Sequence, residues 1–252
     1  MNDLLNPTAW AVLSLVLSAV VLAGLTILQR RREMPVHIRE IAAFRDLRDE
    51  LGRAAESGKP LHIALGSGAV GTVDTISSLA GLQALEGLVD AAVSYDAAPV
   101  ITVGDPTLVP LAQDVLRRAY ERREVPKLYR PSQVRLVAPS SLTYGAGALP
   151  VGAPEDVTAS VMMGSFGAEA SFIAEASNRR GAPNIAAVDA APGIGALYVA
   201  TDRLAVGEEL YAVGAQLTKQ EKLVNSLIAE DILRGLLALA IVGAAILALV
   251  GI

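Results

Sequence analysis

The sequence contains no cysteine, and this absence excludes several kinds of site. Without thiols the chain can form no disulfide, no thiolate nucleophile and no zinc–sulfur centre. There are only two histidines: His37 precedes the predicted globular domain, and His62 opens its first predicted strand. The sequence also lacks a GxSxG motif, a Walker lysine and metal-ligand spacing. It therefore predicts no catalytic residue and no metal site, and it disfavours an enzyme that relies on its own side chains.

Basic residues are not concentrated in the way that a nucleic-acid-binding surface requires. The net charge is -5 and the isoelectric point is about 5.1, whereas phosphate binding needs a basic patch. The one dense basic run, Arg30-Arg31-Arg32, directly follows a long apolar segment. Membrane topology explains such a run better than nucleic-acid binding does. We therefore expect no nucleic-acid partner.

Two long apolar runs lie at the ends of the chain. Residues 9–28 carry no charge, and neither do residues 235–252. At about 1.5 Å per residue, residues 9–28 and residues 232–252, where Arg234 can reach the headgroups, are each long enough for a helix to cross a bilayer core of about 30 Å. We predict transmembrane helices at 9–29 and 232–252, with a short external segment at 1–8. A cleaved signal peptide would carry positive charge before its apolar run, but here Asp3 precedes it and the arginines follow.

The arginines after the first apolar run predict the orientation of the chain. The positive-inside rule places the central domain in the cytoplasm and both termini outside the cell (inner) membrane, as a two-pass protein. Small residues four positions apart, Ser14 with Ser18 and Ala244 with Ala248, let helices approach closely. We therefore expect the lipid bilayer and further copies of this chain as partners.

Between the apolar runs, short apolar segments alternate with helical patterns, which predicts an α/β fold. We expect a Rossmann-like, mostly parallel sheet with helices on both faces, in a domain at 61–218. A basic juxtamembrane segment with an amphipathic helix (30–60) precedes this domain, and an amphipathic connecting helix (219–231) follows it. Residues 142–152 fit neither pattern. The predicted strands are 61–65, 100–103, 134–138, 158–163, 185–188 and 197–200. The predicted helices are 73–93, 107–123, 168–178 and 206–217.

A glycine-rich turn follows the first predicted strand directly, with the sequence Gly66-Ser67-Gly68-Ala69-Val70-Gly71. This is a GxGxxG pattern between a strand and a helix. In dinucleotide-binding domains such a turn lets the backbone approach a pyrophosphate at the helix N-terminus. The candidate cofactor-binding residues are therefore Gly66, Ser67, Gly68, Gly71 and Thr72.

Asp105 ends the second predicted strand, where a dinucleotide-binding domain carries the acidic residue that holds the ribose. It lies nearly forty residues beyond Gly66, whereas the fingerprint expects roughly 20. Two interpretations stay open: the turn binds a nucleotide or dinucleotide, or it packs the helix on the strand. Gly68→Asp is expected to abolish cofactor binding without unfolding the domain if the first is right.

Polar residues follow other predicted strands and are candidates to line the same crevice: Ser140, Ser141, Ser165 and Asp189. Together with the glycine-rich turn they would offer hydroxyls and backbone donors to a small polar ligand. Ser and Asp are also favoured as helix caps, which is the other interpretation of these positions.

The chain resembles an uncharacterised bacterial family of two-span membrane proteins with a Gly/Ala-rich cytoplasmic domain. The resemblance rests on Gly66-Ser67-Gly68 through Asp74-Thr75-Ile76-Ser77-Ser78 and on Val103-Gly104-Asp105-Pro106. It covers nearly the whole chain and implies no catalytic residues.

Two functions follow as hypotheses. The first is a membrane-anchored, non-enzymatic scaffold or sensor that self-associates at the cytoplasmic face. The alternative is a membrane-tethered oxidoreductase that binds NAD or FAD and lets the cofactor carry the chemistry. A transporter is less favoured, because two spans without an ionisable residue in their interior offer no ion path.

Overall fold

The computed structural model describes residues 40–152, 157–201 and 203–218, together with eight single helical positions nearer the termini. These positions are Val16, Ala19, Val20, Gly24, Arg234, Gly235, Leu237 and Ala238, and all are exposed. The predicted segments 1–8, 9–29, 219–231 and 232–252 otherwise lie outside the described residues. By its contacts the chain divides into two units, Arg39–Lys219 and the combined stretches Met1–Ile38 and Gln220–Ile252.

The unit Arg39–Lys219 is built around a six-stranded sheet in which all neighbouring strands are parallel. The spatial order of the strands is β3-β2-β1-β4-β5-β6. The predicted α/β class with a parallel sheet is confirmed. The strands are β1 (Leu61–Gly66), β2 (Pro99–Val103), β3 (Val134–Leu136), β4 (Ser160–Ser165), β5 (Asn184–Val188) and β6 (Arg203–Val206).

Seven α-helices accompany the sheet within the described residues. The first, α1, precedes β1, and each of the others follows one strand. They are α1 (Leu47–Ser57), α2 (Thr75–Ser94), α3 (Leu108–Arg122), α4 (Ser141–Gly152), α5 (Ala170–Asn178), α6 (Ala191–Tyr198) and α7 (Glu209–Thr218). The predicted helix in the segment 30–60 is observed as a short 3-10 turn, Ala42–Phe44, followed by α1.

The sheet is buried on both faces, because alternate residues of each strand enter different cores. On one face, Ile63 packs with residues of α1, α2, α3 and α7. On the other, Ala64 packs with residues of α4, α5 and α6, including Tyr144, and with Phe166 in the loop after β4. The four central strands were therefore visible in the sequence as nearly continuous apolar runs.

The prediction of a strand at 197–200 is wrong. Residues 191–198 form α6, which has a proline in its first turn, where a missing N–H costs nothing. The sixth strand is instead Arg203–Val206, a half-exposed edge strand that begins with an arginine. An edge strand needs no continuous apolar run, so its sequence signal is weak.

The glycine-rich stretch that fitted neither pattern forms α4. Its glycines lower the intrinsic helix propensity, but tertiary packing compensates. Tyr144 and Ala148 are four residues apart and fully buried on one side of the helix. Gly145 allows α4 to touch the next helix, since a Cβ there would lie 2.5 Å from the carbonyl oxygen of Glu169.

One helix of the described residues, α2, is long and apolar enough to span a membrane by length and composition. In its most apolar window, 67% is buried within the protein. Close contacts hold it there: a Cβ on Gly81 would lie 2.6 Å from the carbonyl oxygen of Met163 in β4. We therefore interpret α2 as a core helix.

The two ends of the domain lie next to each other. The backbone N–H of Ile41 donates to the side-chain oxygen of Gln216 at 2.7 Å. Gln216 lies near the end of α7, at the edge of the sheet opposite the carboxyl ends of the strands. The chain therefore enters and leaves this unit at neighbouring points.

Candidate functional site

The carboxyl ends of β1 and β4 form the point of the sheet where a ligand crevice is expected. These strands are neighbours, and the helices that follow them, α2 and α5, pack on opposite faces. The loops after the two strands therefore diverge, and in open α/β sheets ligands bind at such a switch point. The predicted glycine-rich turn lies here, and so does Ser165.

The loops after β1 and β4 approach each other so closely that only glycine fits at position 66. Its φ is +86°, and a Cβ would lie 1.9 Å from the carbonyl oxygen of Ser165. That same oxygen accepts the N–H of Ser67 at 3.1 Å, and the Gly66 carbonyl accepts the N–H of Gly104 at 2.9 Å. The absence of a side chain at Gly66 thus serves contacts within the protein.

Gly68 also approaches protein atoms. A Cβ at this position would lie 2.6 Å from the Cβ of Ser165 and 2.6 Å from the Oγ of Ser78. Gly71 differs, since its φ is +94° but the space around it is open. The expectation that Gly68→Asp would leave the fold intact is therefore wrong, because the new side chain would collide with the loop and helix beside it.

A buried glutamate that sequence reasoning missed joins the two loops. Glu169 is only 5% exposed, and its Oε1 accepts the hydroxyl of Ser67 at 2.9 Å. The same oxygen accepts the backbone N–H of Gly167 at 2.9 Å. Hydrogen bonds to a charged acceptor are stronger than neutral ones, so Glu169 ties the β1 loop to the β4 loop. Its sequence signal is an acidic residue directly before α5.

Asp189, one of the predicted crevice residues, makes a second link between elements. Its Oδ2 accepts the hydroxyl of Ser77 in α2 and, at 2.8 Å, the hydroxyl of Tyr211 in α7. The carboxylate thus connects the end of β5 to two helices on one face of the sheet.

Asp105 and Thr72 lie in turns that also follow the carboxyl ends of strands, β2 and β1 respectively. The Oδ1 of Asp105 accepts the N–H of Thr107 at 2.8 Å, and Thr107 Oγ1 accepts the N–H of Val70 at 3.1 Å. The hydroxyl of Thr72 donates to the carbonyl of Ala69 at 2.9 Å and accepts the N–H of Asp74 at 3.2 Å. Both side chains shape the turns before their helices, as Asp and Thr do at helix starts.

Ser140 and Ser141 lie away from the switch point. They follow β3, which is separated from β1 by β2, and both are exposed. The carbonyl of Ser140 accepts the N–H of Tyr144 at 2.8 Å, which starts α4. The structure thus brings Ser67, Gly68, Ser165 and Glu169 together, while Ser140 and Ser141 stay outside this group.

The charge of this end of the sheet is one-sided. We call the loops after the six strands, with the first turn of each following helix, the carboxyl edge. It contains no lysine or arginine and carries six acidic residues: Asp74, Asp105, Glu169, Asp189, Glu208 and Glu209. Such a field repels phosphate groups and attracts cations. In the described part of the chain, no group of three or more acidic or histidine side chains is arranged to hold a metal ion.

A buried polar network lies beneath the glycine-rich turn. The ring nitrogens of His62 contact the hydroxyls of Ser160 at 3.0 Å and Thr102 at 2.9 Å. Tyr144 continues the network: its hydroxyl lies 3.3 Å from Thr102 Oγ1 and accepts the N–H of Gly66 at 3.2 Å. Burial raises the pKa of Tyr144, which keeps this hydroxyl protonated.

Burial, together with the positive charge of Arg180, lowers the pKa of His62 from 6.5 to about 3. The imidazole is therefore neutral in the folded protein at physiological pH. It connects strands β1, β2 and β4 through buried hydroxyls, so it is a structural residue.

The fold and the site thus define an α/β protein in which the loops at the switch point are hydrogen-bonded to each other. The chain belongs to the family of the domain of unknown function DUF6754, which matches residues 3–252. The resemblance to a family of uncharacterised function over nearly the whole chain is confirmed. No curated protein and no solved structure matches the sequence significantly.

The lowered pKa of His62 predicts a specific pH dependence of stability. The unfolded chain takes up a proton near pH 6.5 and the folded chain only near pH 3. His62 therefore does not lower the free energy of unfolding above pH 6.5. Below pH 6.5 it lowers this free energy, by up to about 1.4 kcal/mol per pH unit, until the pH reaches about 3. Urea unfolding at several pH values, compared with His62→Gln, measures this difference. Parallel curves for the two proteins would contradict the neutral, buried histidine.

Proposed function

We propose that this protein is a membrane-anchored, non-enzymatic scaffold or sensor that self-associates at the cytoplasmic face of the inner membrane. One observation carries the non-enzymatic part: the carboxylates of Glu169 and Asp189 are hydrogen-bonded to other side chains of the domain. Glu169 holds Ser67, and Asp189 holds Ser77 and Tyr211. A catalytic group needs a partner that can move a proton or attack a substrate, whereas Glu169 joins two loops and Asp189 joins β5 to two helices.

Membrane anchoring rests on the two terminal apolar runs and on how the chain leaves the domain. Within those runs, Val16 and Val20 are helical with exposed side chains, and so is Leu237. Exposed valine and leucine on a helix favour a lipid environment over water. The contact between Ile41 and Gln216 starts both linkers at neighbouring points, which suits two spans that enter the membrane on one side.

The arginines after the first run favour a cytoplasmic domain with both termini outside. Because the chain has no cysteine, Asn2→Cys provides a unique label. We expect a membrane-impermeant maleimide to modify it in spheroplasts that have lost the outer membrane. Ser132→Cys, on an exposed part of the domain, should react only after lysis. The reverse labelling pattern would contradict this orientation.

Self-association is attributed to the small residues of the terminal runs, where close approach of helices gains van der Waals contact. In lipid nanodiscs, mass measurement should find a dimer or a larger assembly of the full chain. Ala244→Leu with Ala248→Leu should shift it toward monomers by blocking close approach. Gly243→Leu is a control, because position 243 lies about 100° around a helix from position 244 and about 140° from position 248. A strictly monomeric wild type would refute self-association.

A membrane-tethered nucleotide-binding oxidoreductase is the second candidate, and a specific observation favours it. The strand order β3-β2-β1-β4-β5-β6 is that of dinucleotide-binding Rossmann folds, and the glycine-rich turn follows β1. The acidic carboxyl edge and the link between Ser67 and Glu169 weigh against a pyrophosphate at this turn.

Thr72→Asp tests this candidate at an exposed position, where it removes the hydrogen bond to the Ala69 carbonyl but no buried packing. Thr72 is exposed in the turn before α2, where an added negative charge stabilises the helix by roughly 0.3–1 kcal/mol. The same charge should weaken the binding of NAD or FAD at least about tenfold, through repulsion of the phosphates. Thr72→Asn, which is similar in shape and neutral, is the control. Unchanged cofactor binding in Thr72→Asp, measured by calorimetry, would argue against a site at this turn.

A further inference from the structure

We propose that the carboxyl edge is a docking surface for a cationic segment of a partner protein that also presents apolar side chains. This inference concerns the surface of the domain and does not depend on membrane anchoring or self-association. It names a surface and a partner chemistry that the scaffold proposal leaves open.

The apolar part of this surface begins beside the glycine-rich turn. Val73, two residues before α2, is 97% exposed, and Ile76 and Leu79 in α2 are 68% and 42% exposed. Ile76 and Leu79 are three residues apart and therefore share a helix face. Single exposed apolar residues are ordinary, but several at one place mark interaction sites.

Helices α4 and α5, on the other face of the sheet, add exposed apolar side chains at the same end of the domain. Leu142 in the first turn of α4 is 67% exposed, and Phe172 in the first turn of α5 is 47% exposed. Both helices start where a strand of the parallel sheet ends, as α2 does, so these residues lie on the same end of the domain. Large apolar and aromatic side chains of this kind commonly anchor protein interfaces.

The charge of the carboxyl edge selects the occupant. Its six acidic residues are accompanied by no lysine or arginine, so the long-range field attracts cationic groups even where a carboxylate also makes a hydrogen bond. A second copy presenting the same edge would bring like charges together, and that costs free energy. The anionic lipids of the cytoplasmic leaflet and free nucleotides are disfavoured for the same reason. A segment that carries both Lys or Arg and apolar side chains complements both features.

The test uses the full chain in nanodiscs and a synthetic fourteen-residue amphipathic peptide of leucine and lysine, labelled with a fluorophore. Anisotropy above that of empty nanodiscs reports binding to the protein. We expect the wild type to bind, binding to weaken with salt, and the matching leucine–glutamate peptide not to bind. Val73→Ser with Ile76→Ser should weaken the affinity about tenfold or more.

The matched control is Leu128→Ser with Tyr198→Ser, which changes two exposed side chains away from the carboxyl edge and should leave the affinity unchanged. Equal unfolding midpoints would show that both double variants are folded, as expected for exposed positions. Equal peptide affinity of the two double variants would overturn the proposal, and so would binding of the acidic peptide. A lower assembly mass of Val73→Ser/Ile76→Ser without peptide would also overturn it, because a second copy would then be the occupant.

Discussion

The joining of the β1 and β4 loops is the constraint on which the candidate site depends, and Glu169 strengthens it beside the backbone hydrogen bond from Ser67 to Ser165. Helices α2 and α5 leave the sheet toward opposite faces, so the loops after β1 and β4 diverge. Glu169 accepts the hydroxyl of Ser67 from one loop and the N–H of Gly167 from the other. Since this oxygen is largely buried, both hydrogen bonds act in a medium that screens charge weakly. Ser67 and Glu169 are therefore hydrogen-bonded to each other at the point of the sheet where such folds usually bind a ligand.

The contacts of the glycine-rich turn explain its glycines without a ligand. Gly66 and Gly68 lack side chains because Ser165 and Ser78 occupy the adjacent space. A GxGxxG pattern therefore satisfies the contacts of the chain without a pyrophosphate. The acidic edge around the turn agrees with this interpretation, as the field there opposes anionic groups. What remains available to another molecule is the outer surface of the edge, where Val73 and Ile76 are exposed.

Local sequence patterns predicted the parallel sheet, since β1, β2, β4 and β5 are buried on both faces and appear as apolar runs. They also placed the glycine-rich turn and Asp189 at strand ends. The edge strand β6 and the glycine-containing α4 were missed, because long-range packing rather than local propensity determines them. Glu169 was missed for a related reason: its partner Ser67 lies 102 residues earlier, and no local pattern reports such a pair.

The most direct test of this account is a double-mutant cycle between Ser67 and Glu169. Ser67→Ala, Glu169→Gln and the combined variant are compared with the wild type by urea unfolding of the full chain. If the carboxylate holds the loops together, the two substitutions should couple by about 1–3 kcal/mol, as expected for a hydrogen bond to a charged group. Additive effects, with no coupling, would mean that the loops are held in place by other contacts and would contradict the central role of Glu169.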